Sequence, residues 1–226
     1  MKISIIIPVL NEENILHKTL SSIDLDNDSE LIIVDGGSLD NTIEIARKFT
    51  NIVIQSKKGR GTQLSIGAQN ATGDILFFLH ADCIPPKNFL NIIRETLSTT
   101  KNIAGAFMLC IDSNGLIFRI IEWVVLVRTR ITKIPYGDQG LFMTKTTYDK
   151  IGGFSDLPLM EDIDIAQRLN RHGRIIFLSE KMTASPRRWL KEGIIYTTIR
   201  DWMIALMFTI FNINPKILQR LYKDVR

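Results

Sequence analysis

The chain has 226 residues, of which 45% are hydrophobic and 23% are charged, and its net charge is +4. This composition allows a substantial core and excludes a disordered chain, and the length suits one large domain or two small ones. Cys83 and Cys110 are too few for a disulfide framework and lack a metal-ligand spacing, so a reducing, cytoplasmic compartment is expected.

The basic residues are concentrated towards the end of the chain. From Arg168 onward there are twelve lysines and arginines against four acidic residues. Such a segment suits nucleic acid, phosphorylated substrates or anionic lipid, and its aromatic residues favour the last two, so no nucleic-acid partner is expected. The chain start does not resemble a signal peptide, and no apolar run reaches the roughly 18–20 residues of a membrane span.

Four buried strands are predicted to alternate with helices over the first hundred residues. Nearly continuous apolar runs place the strands at residues 3–9, 31–34, 52–55 and 75–79. Helices follow each strand, two of them capped by Asn11 and Asp40 and two expected at residues 62–71 and 85–99. This alternation predicts an α/β fold with a doubly wound, mostly parallel sheet flanked by helices.

Polar residues gather where these predicted strands end. Asn11–Glu12, Asp35-Gly36-Gly37 and His80-Ala81-Asp82 follow the first, second and fourth strands. Because ligands of doubly wound sheets bind beyond the carboxyl ends of the strands, these loops predict a site at one edge of the sheet.

The second half of the chain alternates less regularly. Strands are predicted at residues 103–111, 141–144 and 175–178, and loops at 136–140 and 185–189. Helices are predicted at residues 116–127, 161–172, 194–211 and 215–223. The helix at 161–172 begins with two carboxylates, Glu161 and Asp162. Acids at a helix start complement the helix dipole, so the pair alone does not require a catalytic role, but the distant acidic loop at Asp82 favours a shared site.

The sequence resembles family 2 glycosyltransferases in four ordered motifs. These are Ser-Ile-Ile-Ile-Pro-Val-Leu-Asn-Glu-Glu at 4–13, Ile-Val-Asp-Gly-Gly-Ser at 33–38, Ala-Thr-Gly-Asp at 71–74 with Phe-Phe-Leu-His-Ala-Asp at 77–82, and Glu-Asp at 161–162. The likeness is greatest to a small branch known as radical-SAM/selenodomain-associated transferases, with a more distant one to bacterial enzymes that glycosylate carotenoid acids.

This resemblance implies a glycosyltransferase A fold and inverting transfer from a nucleotide-diphosphate sugar, expected to be a UDP-sugar, to an unknown acceptor. We expect one domain over residues 1–226. Within it, residues 1–100 form the nucleotide-binding half, residues 101–190 the acceptor and catalytic half, and residues 191–226 the C-terminal helices.

A divalent metal is also implied by the resemblance. Asp82 matches the family's metal ligand, and His80 replaces the first Asp of the usual Asp-x-Asp, which leaves Mn²⁺ or Mg²⁺ open. Such a metal offsets the charge that builds on the leaving diphosphate. The alternative role for Asp82 is a helix cap before Pro85.

The resemblance places the nucleotide among residues of the first half. Asp35 matches a position that accepts a hydrogen bond from the base, and Pro8 and Glu12 match positions that line the nucleoside pocket. Lys58 and Arg60, on a Gly-rich loop, are expected near the diphosphate. The alternatives are an Asp-Gly turn for Asp35, helix-start charge for Glu12 and a solvated loop for Lys58.

Asp162 matches the family's general base, and Glu161 is the neighbour that would raise the pKa of Asp162.

Arg187-Arg188-Trp189 resembles the Gln-x-x-Arg-Trp motif of processive family members but lacks its Gln, so processivity is not inferred. An arginine stack on Trp189 at the surface is the alternative. The acceptor and diphosphate side is assigned to Asp138, Gln139, Arg187, Arg188 and Trp189.

Two other functions compete with glycosyl transfer. A nucleotidyltransferase would carry a Gly-rich, basic loop after the first strand, where this chain has Asn-Glu-Glu. A non-enzymatic membrane-surface module would leave the acidic loops unexplained.

The apolar helix at 194–211 has basic flanks, which is typical of an interfacial helix at the inner membrane face that reaches a lipid-linked acceptor. Packing on the sheet as an ordinary amphipathic helix is the alternative.

Overall fold

The computed structural model describes residues 1–99 and 102–222, and within these residues eight strands form one sheet. The strands are β1 Ile3–Val9, β2 Ser29–Asp35, β3 Val53–Gln55, β4 Ile75–Phe78, β5 Cys83–Ile84, β6 Asn102–Ile111, β7 Leu141–Thr144 and β8 Arg174–Ala184. Their order across the sheet is β3-β2-β1-β4-β7-β6-β8-β5.

Helices cover the sheet, and the last three α-helices come after the last strand in the described chain. They are α1 Glu13–Leu20, α2 Thr42–Arg47, α3 Arg60–Asn70, α4 Phe89–Ser98, α5 Leu116–Thr132, α6 Lys145–Lys150, α7 Glu161–His172, α8 Arg187–Glu192, α9 Ile194–Thr209 and α10 Pro215–Leu218. Short 3-10 helices lie at Gly137–Gln139 and Gln219–Leu221.

The first four long strands are parallel, as the sequence predicted. β1 pairs with both β2 and β4, and β2 pairs with β3. Successive side chains of a strand point to opposite faces, and here both faces are covered: Ile5 and Ile7 enter one apolar cluster and Ile6 enters the other. The continuous apolar run of β1 is therefore the consequence of burial on both sides.

The remaining strands join the sheet by both parallel and antiparallel pairing. β7 is antiparallel to β4 and β6, β8 is parallel to β6, and β5 is antiparallel to β8. The sheet is thus mostly parallel. β8 extends well past the predicted strand at 175–178, because its pairing with β6 resumes after a register shift.

One of the two predicted helix caps is wrong. Asn11 has a φ of 53°, and its side-chain oxygen accepts the N–H of Leu39, which directs it away from α1. Asp40 instead accepts the N–H of Glu13 at 3.2 Å and that of Thr42 at 3.0 Å. The side chain of Asp40 therefore supports the starts of both α1 and α2.

Several helix boundaries also differ from the prediction; α5, for example, ends at Thr132 and not at residue 127. α3 begins at Arg60, so Arg60 is helical and does not lie in a loop. α4 begins after the left-handed residue Asn88, so Pro85 and Pro86 lie in the segment between β5 and α4 and do not open the helix. The predicted loop at 185–189 is in part helix α8, which follows directly on Pro186, a residue whose fixed φ favours a helix start.

The C-terminal helices pack on the loop before α7. Ile204 of α9 and Leu218 of α10 form a small buried cluster with Leu159. Lys223, the last residue of the predicted final helix, lies outside the described residues. Among the helices of residues 1–99 and 102–222, none is both long and apolar enough to cross a membrane.

Candidate active site

A cleft of about 210 Å³ opens at the carboxyl ends of β1 and β4. Its walls come from both halves of the chain, including α5, the start of α7 and the C-terminal helices. The cleft brings together most of the residues that the sequence assigned to a site: Pro8, Glu12, Arg60, His80, Asp82, Asp138, Glu161, Asp162, Arg187, Arg188 and Trp189. Residues as distant as Pro8 and Trp189 therefore share one surface.

Possible metal ligands lie together after β4. His80, Asp82 and Cys83 offer ligand atoms that all lie within 4.8 Å of one another. Burial, with help from Asp82, raises the pKa of the Cys83 thiol well above its usual value, so this thiol stays protonated. The imidazole of His80 and the carboxylate of Asp82 are therefore the readier donors of the three.

Arg187 connects two acidic residues of the cleft. Its Nη2 contacts a carboxylate oxygen of the buried Glu12 and lies 3.5 Å from Asp82 Oδ2. This contact joins the start of α8 to the loops after β1 and β4. The guanidinium provides positive charge beside the carboxylate that was predicted to hold a metal.

Arg60 and Glu161 form an ion pair at the cleft. Glu161 is 3% exposed, and its Oε1 lies 3.2 Å from Arg60 Nη1. Burial raises the pKa of Glu161 against the opposing effect of Arg60. Burial alone would lower the pKa of Arg60, but Glu161 raises it, so the guanidinium stays charged. In this structure the charge of Arg60 is paired with Glu161. The contact of Arg60 with a diphosphate stays a prediction.

Asp162 is held by the backbone. Its Oδ2 accepts the N–H of Gly137 and its Oδ1 the N–H of Ile163, both at 2.8 Å. Gly137 also packs on the imidazole of His80, where a Cβ would stand 2.3 Å from the ring. A side chain at this position would displace the imidazole, so Gly137 connects the predicted base to the predicted metal ligands.

The other acidic residue of the α7 start has a different role. Asp164 Oδ2 lies 2.6 Å from Arg168 Nη2 and accepts a hydrogen bond from Ser155 at 2.7 Å. These contacts agree with the helical spacing, which turns residue 164 away from residue 162. Asp164 therefore stabilises the helix and the preceding loop.

Asp138 lies in the same cleft on the 3-10 helix. Burial raises its pKa to about 6, and Asp162 and Asp82 act in the same direction while Arg128 and Arg188 oppose them. Its Oδ1 is buried and has no hydrogen-bond partner among the residues that the structure describes. The carboxyl group is therefore costly to ionise in the folded protein.

We predict that Asp138→Asn stabilises the protein above pH 6. Between about pH 4 and pH 6 the unfolded state loses this proton while the folded state keeps it, so wild-type stability falls as pH rises. The gain from asparagine should grow through that window and level off on the order of 2 kcal/mol. Urea unfolding at pH 5 and pH 7.5, with EDTA present, measures it.

Asp149→Asn makes the same replacement at an exposed position and is the matched control. Equal unfolding free energies for wild type and Asp138→Asn at pH 7.5 would contradict the assignment of a raised pKa to Asp138.

Three predicted site residues are not on the cleft wall of the described chain. Asp35 is fully buried, and its carboxylate accepts the N–H groups of Gly37 and Ser38 at 2.9 and 3.0 Å, which is the turn role. Lys58 is exposed before α3, and Gln139 is buried, with its Nε2 donating to the carbonyl of Phe107. Their nucleotide and acceptor roles stay predictions.

The C-terminal segment contributes cleft residues that the sequence did not indicate. Arg188 contacts Asp201 of α9 and the hydroxyl of Tyr222, and all three line the cleft. Arg200, 7% exposed, pairs with Glu192 at 2.8 Å and holds α9 against α8. The only sequence signal for these contacts is the charged pair Arg200-Asp201 inside an apolar helix.

Residues 4–155 match the family model described as glycosyl transferase family 2. The chain belongs to this family. Family membership confirms the main resemblance and favours glycosyl transfer over the nucleotidyltransferase and the non-enzymatic module. The match ends before α7, so it includes Asp82 and Asp138 but not Asp162.

The relatives are much longer than the matched segments. The undecaprenyl-phosphate 4-deoxy-4-formamido-L-arabinose transferase of Proteus mirabilis is 33% identical over 117 residues, which cover 46% of this chain and 36% of the relative. The chain thus matches about a third of that protein's length.

Solved structures confirm the predicted glycosyltransferase A fold. The mannosyltransferase PcManGT from Pyrobaculum calidifontis, in complex with GDP-Man and Mn²⁺, gives a TM-score of 0.73 at 17% identity, covering 96% of this chain and 68% of that one. S. aureus TarS 1-349, in complex with UDP-GlcNAc, gives a TM-score of 0.66 at 18% identity, covering 98% of this chain and 70% of that one. At such identities the likeness concerns the fold alone.

Proposed function

We propose that the chain transfers a sugar from a nucleotide-diphosphate sugar, a UDP-sugar, to a separate acceptor with inversion at the anomeric carbon. The observation that carries this proposal is the presence of Asp82 and Asp162 in one cleft that arginines also line. The sugar nucleotides in the PcManGT and TarS complexes support the donor class. Residues 1–100 would hold the donor and residues 101–190 would shape the acceptor side.

The residues after β4 fit a divalent metal. A neutral imidazole from His80 and a carboxylate from Asp82 suit Mn²⁺ better than Mg²⁺, which prefers oxygen ligands. When bound, the metal would offset negative charge on the leaving diphosphate. Arg187 lies against the same carboxylate and would supply further positive charge to that group.

Asp162 would take the proton from the attacking acceptor hydroxyl. The two backbone N–H groups that it accepts from fix the orientation of its carboxylate. A general base must first lie within hydrogen-bond reach of the proton that it takes. The carboxylate of Asp162 lies at the cleft wall, where a bound acceptor would meet it.

A thermal-shift panel of UDP, GDP, UDP-sugars and GDP-sugars, with and without Mn²⁺, tests the proposal. Ligands that bind only the folded state raise Tm, so UDP and one UDP-sugar should stabilise the protein, and more so with Mn²⁺. A larger effect of GDP would overturn the choice of nucleotide. No effect of any nucleotide would overturn the function.

A lipid surface would present the acceptor. α9 exposes apolar residues at helical spacing, and α5 exposes a second group. They are Ile195, Ile199, Met203, Leu206, Leu116, Ile120 and Trp123. Exposed basic residues flank them at Lys191, Lys216 and Arg220. Apolar residues with basic flanks suit an anionic membrane surface at the inner face. The name of the undecaprenyl-phosphate transferase relative supports a lipid-linked acceptor.

We predict that the protein co-floats with phosphatidylglycerol-containing liposomes and is released by salt, because the basic flanks act through screened charge. Ile199→Glu with Met203→Glu should abolish co-flotation while the fold is retained. Leu25→Glu introduces the same charge at an exposed apolar residue between α1 and β2 and is the control. Absence of co-flotation at every anionic lipid content would mean that this surface does not bind lipid.

A further inference from the structure

Arg128, in the last turns of α5, is a cation of the cleft that forms no direct ion pair among the residues that the structure describes, although its charge acts on the nearby carboxyl group of Asp138. Its Nη2 donates to Gln139 Oε1 at 3.0 Å and to Thr129 Oγ1 at 2.9 Å. Its Nε and Nη1 are buried and have no hydrogen-bond partner within the described chain. The guanidinium carbon lies 3.4 Å from the ring centroid of Tyr136, which fixes the plane of the group.

Buried N–H donors of a charged group are costly to leave unpaired. Stacking on Tyr136 offsets part of that cost but leaves both donors unused. The guanidinium is held in place by Thr129, Gln139 and Tyr136, three residues of the segment 101–190 that the sequence assigned to the acceptor half. A preorganised guanidinium with free donors is suited to an oxyanion ligand.

The surroundings of Arg128 combine charge with apolar surface. The neighbouring cleft wall is formed by apolar side chains of β6, α5 and α9, namely Leu109, Ile121, Val125, Trp202 and Ala205. Asp138 presents its own unpaired buried oxygen to the same region.

We propose that Arg128 binds an anionic oxygen group, a phosphate or a carboxylate, on an amphiphilic acceptor whose apolar part lies along α5 and α9. This inference rests on the proposed transfer function and names the chemical class of its acceptor. The side-chain contacts of Arg128 favour the acceptor over the donor, because those within the described residues are with Thr129, Gln139 and Tyr136, away from β1 and its following loop.

The test compares n-octyl phosphate with n-octanol by calorimetry on the whole protein, with octanoate as the carboxylate probe. Wild type should bind at least one of the two anions roughly 10- to 100-fold more tightly than the alcohol, the range for hydrogen bonds to a charged group. Arg128→Gln should remove that preference, and Arg128→Lys should retain part of it. Arg130→Gln makes the same change at an exposed residue of α5 and should leave the preference intact.

Equal affinities of wild type for the anions and the alcohol would overturn the proposal, and this comparison needs no variant that must fold. A loss of UDP affinity in Arg128→Gln as large as its loss of octyl phosphate affinity would also overturn it, by moving Arg128 to the donor side. Retained UDP binding in every variant separates failure of this inference from failure of the transfer function.

The same variants distinguish a lipid-borne anion from a soluble one. Vesicles of phosphatidylcholine with and without phosphatidic acid present a phosphate monoester on a membrane. Arg128-dependent binding to the phosphatidic acid vesicles alone supports a lipid-borne acceptor, and Arg128-dependent binding of octyl phosphate in solution supports a soluble one. Binding of neither kind overturns the proposal.

Discussion

Asp162→Asn is expected to lower turnover by about 10²–10⁴-fold, the usual cost of losing a general base. The single amide oxygen can still accept the N–H of Gly137, so the loop there should stay in place, while the second bond, from the N–H of Ile163, is lost. Affinity for UDP should change little, because the base faces the acceptor. Steady-state turnover with a competent acceptor, beside calorimetry of UDP, measures both quantities.

Asp164→Asn is the matched control for this variant. It makes the same replacement on the same helix, at a carboxylate that pairs with Arg168 and Ser155 outside the cleft. Its turnover should stay near that of wild type. Near-normal turnover in Asp162→Asn would instead assign the base to Glu161 or to Asp138, which also line the cleft.

Asp82→Ala is expected to abolish the gain in UDP affinity that Mn²⁺ provides. Removing groups that merely orient metal ligands costs 10–100-fold in metal affinity, so removing a direct carboxylate ligand should cost at least about 100-fold. UDP alone should bind the variant no less well than wild type, since the loss of a negative charge beside Arg187 favours the diphosphate.

Calorimetry of UDP with and without Mn²⁺ measures this effect for wild type and variant. Asp156→Ala removes an exposed carboxylate whose contact is with Thr62, so it should keep the full metal effect. An equal gain from Mn²⁺ in wild type and in Asp82→Ala would rule out Asp82 as a metal ligand.

Local pattern predicted the first half of the fold well because β1, β2 and β4 are buried on both faces. The apolar run of β1 specifies its position, and the polar residues after β1 and β4 correctly indicated the cleft. β8 was underestimated because its second half alternates exposed polar residues with partly buried ones, and its length depends on pairing with β6. Such pairing is a tertiary effect that no local window contains.

The site was predicted where carboxylates follow a strand or begin a helix, and missed where a contact crosses the chain. Asp82, Glu161 and Asp162 stand at such element ends. Arg128 and Tyr222 reach the cleft from a helix face and from the C-terminal segment, and nothing in their local sequence separates them from surface residues. Their role depends on the packing of α5, α9 and α10 around the cleft.

The most direct test of the account is a titration of Mn²⁺ followed by electron paramagnetic resonance, with and without UDP. If the cleft binds a nucleotide diphosphate through a metal at Asp82, UDP must raise the affinity for Mn²⁺ by the same factor by which Mn²⁺ raises that for UDP. The account predicts weak Mn²⁺ binding alone and much tighter binding with UDP. An affinity for Mn²⁺ that UDP leaves unchanged would contradict the account.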